Sequence, residues 1–135
     1  VHTTGNADGM EKTLAYAGRD FDGLCFVNLV DYDMLYGHRR DRDGYARALS
    51  EFDAFLPKLC EKLGEKDVLI ITADHGCDPD YTGTDHTREY TPLLVCGKSV
   101  TPRSLGTRAS FADIAASVCG FFGVETVGSG TPFEL

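Results

Sequence analysis

The distribution of apolar residues predicts an alternation of strands and helices. Short apolar runs at 23–30, 67–74 and 92–97 predict strands that are buried on both faces. Apolar residues recur at steps of three and four over 45–63 and again over 111–122, which predicts two amphipathic helices. Strand and helix following one another in this way are typical of the α/β class. We therefore expect a mainly parallel sheet with helices on both faces.

Individual residues predict where the helices begin or bend. A shorter helix is predicted at 10–19, with Asp8 as its possible N-cap. Pro57 is expected to bend or split the helix that begins near Tyr45. Ser110 followed by Asp113 resembles a capping box, so the last helix should begin there.

Bulk properties restrict the class of protein. The 135 residues suit one compact unit, and 42% apolar residues are enough for a core. The net charge of -8, with lysines and arginines scattered, argues against nucleic acid or an anionic membrane as the main partner. No apolar run approaches the ~20 residues that span a bilayer, and no leader pattern opens the chain. These features predict a soluble, cytoplasmic protein.

The five cysteines, at positions 25, 60, 77, 96 and 119, show no C-x-x-C spacing. Most of them lie in apolar or helical stretches. We therefore expect buried free thiols in a reducing compartment.

Candidate chemistry is concentrated in two polar stretches, 31–38 and 72–87, each beginning where a predicted strand ends. Ligands of α/β sheets bind at that edge. Imidazole and carboxylate groups suit divalent ions such as zinc, manganese and iron. Five such groups exceed one closed site and suit two metals ~3.5–4 Å apart. The predicted ligands are Asp33, His38, Asp74, His75 and His86.

Neighbouring residues compete with these five ligands: Asp31, Asp78, Asp80, Asp85 and Cys77. Asp74 and His75 are preferred because they follow the strongest predicted strand. Asp85 fits better as an acceptor that orients a ligand histidine. Packing is a better role than ligation for Cys77, since a thiolate is a poor ligand in a site for hard ions.

Two further sets of residues leave alternatives open. Thr82, Thr84 and Thr87 could supply a nucleophilic hydroxyl, although loop hydrogen bonding is the better interpretation. The two arginines at 39 and 40 could meet a phosphate. We prefer ion pairs with Asp41 and Asp43, because arginines beside acidic residues commonly pair with them.

Two segments resemble a known family. NLVDYDMLYGHRRD (28–41) and ITADHGCDPDYTGTDHTREYTPLLV (71–95) are similar to the C-terminal motifs of the phosphopentomutases, a family of the alkaline phosphatase superfamily. GNADG (5–9) resembles the lead-in to a helix of that family. The likeness covers nearly all of 1–135 and corresponds to the last third of such an enzyme. Cys77 departs from it, because asparagine is expected after D-H-G.

The resemblance implies a function and a distribution of ligands. Asp33, His38 and His86 would bind one manganese ion, and Asp74 and His75 the other. An aspartate of the second ion, the threonine nucleophile and a sugar-binding cap domain would lie outside this chain. Residues 1–135 would then be the C-terminal part of a metal-binding core domain, inactive alone, in an enzyme that interconverts ribose 1-phosphate and ribose 5-phosphate.

Two other functions stay open on the sequence. A metallophosphatase or phosphodiesterase of the same superfamily would hydrolyse its substrate. A non-catalytic module could retain the metal ligands alone.

Overall fold

A computed structural model describes residues 1–126 and 128–135. The chain divides into two units, 1–64 with 75–91 and 65–74 with 92–135. The sequence predicts one compact unit, whereas the structure shows two. The elements, in chain order, are α1 (Asn6–Ala17), a π-helix (Tyr32–Gly37), α2 (Arg42–Cys60), β1 (Leu69–Thr72), β2 (Leu93–Cys96) and α3 (Ala112–Phe122).

Helices α1 and α2 pack together in the first unit and carry its core. The buried apolar side chains of α2 are Ala48, Phe55 and Leu59, at the three- and four-residue spacing that the sequence shows. Gly9 of α1 allows a close approach, because a Cβ there would lie 2.8 Å from the Leu29 side chain. The predicted helix is confirmed, but its buried face differs from the predicted apolar repeat, in which Leu59 is buried whereas Leu49 and Cys60 are exposed.

The helix ends differ in detail from the prediction. Gly5, rather than Asp8, precedes α1, and the Asp8 carboxylate accepts a hydrogen bond from the Thr4 amide at 2.8 Å. Helix α2 begins earlier than Tyr45, because the Asp41 carboxylate caps it by accepting from the Gly44 amide at 2.9 Å. Pro57 lies in the last turn, and α2 continues through it to Cys60 without a split.

The second unit contains two of the predicted strands, paired as an antiparallel ladder. Leu69 lies opposite Cys96 and Thr72 lies opposite Leu93. The parallel pairing expected from the sequence is therefore wrong for β1 and β2. Parallel neighbours need a crossover connection, usually a helix, and residues 73–92 form none.

The predicted strand at 23–30 is not formed among the described residues. Leu24, Phe26 and Val27 are exposed, with 85% of the Phe26 surface accessible. A strand is stabilised by a hydrogen-bonded neighbour, and the described part of the chain supplies none to this segment. The prediction of a buried strand at 23–30 is therefore wrong for the described residues.

Helix α3 confirms the last predicted helix but not the complete capping box. The Ser110 hydroxyl accepts from the Ala112 amide at 3.1 Å. The Asp113 carboxylate instead accepts from Arg108 at 2.9 Å and from the Thr131 amide at 2.8 Å.

All five cysteines are free, as predicted, but the expectation of burial is wrong. Cys25 and Cys60 are exposed, and the other three are partly exposed. Among the residues that the structure describes, no helix has the length and apolar character needed to cross a membrane.

Candidate metal centre

The π-helix presents the first two predicted ligands. The His38 amide donates to the Asp33 carbonyl at 3.0 Å, a five-residue step that widens the helix. Nε2 of His38 lies 3.3 Å from Oδ2 of Asp33. Single π-type turns are rare and occur frequently at functional sites. The turn therefore sets the spacing of two candidate ligands.

The loop 75–87 folds back on itself and brings two histidines together. Gly76 and Thr87 form an isolated antiparallel bridge, with the Thr87 amide donating to the Gly76 carbonyl at 3.1 Å. A Cβ at Gly76 would lie 2.6 Å from the Thr87 carbonyl oxygen, so only glycine fits this approach. The rings of His75 and His86, next to the bridge, stack at 3.6 Å and 14°.

Three ligand groups converge in this unit. Nε2 of His86 lies 3.3 Å from Oδ1 of Asp33, and Nε2 of His75 lies 4.0 Å from the same oxygen. One ligand atom from each of Asp33, His75 and His86 falls within 4.8 Å of the others. Two imidazoles and a carboxylate are a donor set that suits a divalent transition metal.

The state of the Asp33 carboxylate fits a cation. Its Oδ1 atom is buried and accepts no hydrogen bond among the described residues. A buried carboxylate oxygen that accepts no hydrogen bond is costly, and native proteins rarely retain one without a functional reason. A positive ion between Oδ1 and the imidazole nitrogens would remove that cost. The residues present therefore fit a metal ion.

Hydrogen bonds to main-chain carbonyls select the tautomer of two histidines, and this is the tautomer that can bind a metal through Nε2. Nδ1 of His38 bonds to the Thr84 carbonyl, and Nδ1 of His75 bonds to the Gly76 carbonyl at 3.0 Å. A carbonyl oxygen only accepts, so each Nδ1 carries the proton. In the neutral ring, Nε2 is then the nitrogen without a proton, and in both residues this atom faces Asp33.

Most of the competing carboxylates are engaged elsewhere. Asp31 accepts from the Asn6 amide at 2.6 Å, and Asp78 accepts from the Asp80 amide at 2.9 Å. Asp80 also lies 3.5 Å from Arg42. Asp85 is exposed. The hydrogen bonds of Asp31 favour Asp33 as the ligand of this stretch.

The fifth predicted ligand, Asp74, belongs to the second unit, where it follows β1 as an exposed residue. The other four lie in the first unit. Ligation by all five residues stays a prediction.

The remaining candidates are placed as follows. Asp43 pairs with Arg42 at 3.5 Å and Asp41 caps α2, so Arg39 and Arg40 have no carboxylate partner among the described residues. The preferred ion pairs of these two arginines are therefore not formed. The Thr87 hydroxyl accepts from the Asp78 amide at 2.7 Å, in keeping with a role in the loop.

One contact that shapes the site escaped sequence reasoning. Cys77 packs its sulfur against Gly37, where a Cβ would clash with it. This contact joins the π-helix to the loop and explains a packing role for the thiol. Burial and the nearby Asp33 charge raise the pKa of Cys77. The glycine of D-H-G was a visible indication of a close approach, whereas nothing in the sequence pointed to Gly37 and Cys77 as a pair.

Comparison with known proteins shows the family of this chain. Residues 1–126 match the family model described as Metalloenzyme superfamily. The chain belongs to that superfamily.

Within it, the chain is similar to proteins named Phosphopentomutase. It is 58% identical over 134 residues to the one from Symbiobacterium thermophilum (strain DSM 24528 / JCM 14929 / IAM 14863 / T) and 54% identical over 134 residues to the one from Lachnoclostridium phytofermentans (strain ATCC 700394 / DSM 18823 / ISDg). Each alignment covers 98% of this chain and 34% of the relative. The resemblance noted in the sequence is confirmed, and the chain spans about a third of the length of these curated relatives.

Proposed function

We propose that the complete protein is a phosphopentomutase, an isomerase that interconverts ribose 1-phosphate and ribose 5-phosphate and their deoxyribose forms. The convergence of Asp33, His75 and His86, around a buried carboxylate oxygen that accepts no hydrogen bond among the described residues, is the observation that carries this proposal. Identities of 52–58% to relatives that bear this name support the choice of reaction.

The cofactors of this proposal are two Mn²⁺ ions. Asp33, His38 and His86 would hold one ion, and Asp74 and His75 the other. Two such ions, when bound, supply charge stabilisation for a phosphoryl group in transfer. The distances within the first unit support this division, since the imidazoles of His38 and His86 each lie 3.3 Å from Asp33 and that of His75 lies at 4.0 Å.

The chain's own residues would act by position and charge. The carbonyls of Thr84 and Gly76 hold two imidazoles in the tautomer whose Nε2 carries no proton. The phosphoryl group would pass from a phosphothreonine to the free hydroxyl of the sugar phosphate, and the resulting bisphosphate would return its other phosphoryl group to the threonine. We place that threonine outside these 135 residues, so the isolated chain should be inactive.

The same proposal covers the rest of the protein. The mainly parallel sheet of an alkaline-phosphatase-like core would be completed by strands outside this chain. A pentose phosphate is the expected partner, with neither nucleic acid nor a membrane. The free cysteines suit the reducing cytoplasm.

A ³¹P NMR assay of the full-length protein with ribose 1-phosphate and Mn²⁺ tests the proposal. We expect ribose 5-phosphate as product, with little inorganic phosphate, and loss of turnover when Mn²⁺ is chelated. Release of inorganic phosphate as the main product would instead indicate a phosphatase of the same superfamily. Specific metal binding without either product would indicate a non-catalytic module.

A further inference from the structure

A reciprocal pair of hydrogen bonds joins the start of α1 to the residue that precedes the π-helix. The Asn6 main-chain amide donates to Oδ2 of Asp31 at 2.6 Å. In return, the Asp31 amide donates to the Asn6 side-chain oxygen Oδ1 at 3.0 Å. Two segments 25 residues apart in sequence are thereby fixed to one another at a single point.

The surroundings of this pair leave it little freedom. Asn6 is buried, with 7% of its surface accessible. A Cβ at Gly5 would lie 2.9 Å from the Asp31 carboxylate, so this position requires a residue without a side chain. The Asn6 amide nitrogen Nδ2 is buried without a hydrogen-bond partner among the described residues. An unpartnered buried donor is costly, and its retention indicates that asparagine serves a purpose here.

The pair lies next to the candidate ligands. Asp31 immediately precedes the π-helix, and Asp33 lies within its first turn. A shift of Asp31 would move the backbone that carries Asp33, whose two oxygens face the imidazoles of His38 and His86 at 3.3 Å. Metal ligands lose affinity when the groups that orient them are removed, typically by 10–100-fold.

We propose that Asn6 and Asp31 are positioning residues of the metal centre, which hold the π-helix so that Asp33 meets its partner histidines. This proposal rests on the proposed function for the presence of the metal. It assigns a role to the Asn6 of the G-N-A-D-G segment and to the carboxylate that competes with Asp33 in the sequence.

The alternative role for the pair is purely local, as a cap on the first turn of α1. The two roles differ in which segment loses protection from hydrogen exchange when the pair is broken. A local cap would loosen α1 alone. A positioning role requires that the π-helix amides of Met34 and His38, which donate to carbonyls at 2.9 and 3.0 Å, lose protection as well.

Hydrogen exchange and Mn²⁺ affinity of the full-length protein test this inference with Asn6→Ala and Asp31→Ala. The matched control is Thr13→Ala, which removes a hydrogen bond of 2.7 Å from the same helix without touching Asp31. We expect each test variant to speed exchange in 31–38 while 45–56 of α2 is unchanged, and to weaken Mn²⁺ binding by about 10–100-fold. Each single variant removes one of the two hydrogen bonds, so the double variant should lose at least as much as either single one.

Control-like exchange in 31–38 would overturn the proposal, because the π-helix would then hold its shape without the pair. Faster exchange with wild-type Mn²⁺ affinity would overturn it as well. Neither measurement requires turnover, so failure of the mutase assignment would leave the exchange result standing as an independent outcome.

Discussion

Two carboxylates, Asp33 in the first unit and Asp113 in the second, show how differently a protein treats acidic groups. Asp113 is 4% exposed and has a partner for each oxygen, Arg108 at 2.9 Å and the Thr131 amide at 2.8 Å. The Oδ1 atom of Asp33 is buried too, but no hydrogen bond reaches it from the described residues. The chain supplies a hydrogen-bond donor to each oxygen of Asp113, whereas Oδ1 of Asp33 receives none from the described residues.

The contrast separates a structural role from a binding role. A satisfied buried carboxylate holds segments together, and its loss leaves other polar groups unpartnered. An unsatisfied one lowers stability until a cation binds. Its loss should therefore impair function while sparing or improving the stability of the metal-free fold.

The largest effect should come from Asp33→Ala in the full-length protein. Removal of the central ligand should lower mutase turnover by about 10²–10³-fold, the typical loss when a single stabilising group is removed from an active site. The assay is conversion of ribose 1-phosphate under saturating Mn²⁺. Turnover within about tenfold of wild type would show that Asp33 is not a ligand.

A smaller but substantial effect is expected from Gly76→Ala. The added Cβ would meet the Thr87 carbonyl at 2.6 Å, so the bridge must open and the stacked histidines must separate. We expect Mn²⁺ affinity to fall by about 10–100-fold, as measured by electron paramagnetic resonance. Gly83→Ala in the same loop is the control, because its nearest neighbour is a flexible tyrosine ring at 3.5 Å. Equal effects of both substitutions would contradict the role of the bridge.

On the other side of the comparison, Asp113→Asn should affect stability and its pH dependence. The Thr131 amide and then Arg108 lower the pKa of Asp113 below its ordinary 3.8. The stability contributed by the charged form is complete above that ordinary value and is lost as the pH falls through the lowered one.

Denaturant unfolding between pH 7 and pH 2 measures this contribution. The wild type should lose stability more steeply than Asp113→Asn below about pH 4. At neutral pH the variant should be the less stable of the two. Parallel curves would show that the contacts of Asp113 with Arg108 and Thr131 add nothing to the folded state.

The smallest effect concerns backbone strain beside the ligands. Arg40 adopts a φ of 57°, a left-handed conformation that favours glycine, and its amide donates to the Gly37 carbonyl at 2.9 Å. Arg40→Gly should raise the free energy of unfolding by about 1 kcal/mol. Thermal unfolding measures it, with Arg39→Gly as the control that should not stabilise. A destabilised Arg40→Gly would mean that the side chain contributes more than its backbone strain costs.

The sequence supported prediction of the candidate ligands better than prediction of the sheet. Asp33, His75 and His86 were identifiable because histidine and aspartate clustered in two short stretches after apolar runs. Histidine and aspartate side chains can bind a metal in a strand, a helix or a loop, so their prediction did not depend on the sheet. His38 and His75 donate the hydrogen bonds that select their tautomers to main-chain carbonyls. Every residue has such a carbonyl, so the sequence could not predict these bonds.

Strand pairing was harder, because it depends on partners as well as on composition. The runs at 67–74 and 92–97 were correctly identified as strands, but their direction follows from the loop between them, which the apolar pattern does not describe. The run at 23–30 has the composition of a strand and finds no partner among the described residues. Sequence patterns report a tendency to be buried, and only the neighbours decide the outcome.

Metal-dependent thermal stability of the full-length protein tests the contrast between the two carboxylates most directly. Melting temperatures would be measured for the wild type, Asp33→Asn and Asp113→Asn, each with and without Mn²⁺. We predict that Mn²⁺ raises the melting temperature of the wild type and of Asp113→Asn by similar amounts, and that of Asp33→Asn by clearly less, since the ion assigned to Asp74 and His75 does not use Asp33. An equal rise in Asp33→Asn would contradict the account, because Oδ1 of Asp33 would then have no part in binding the metal.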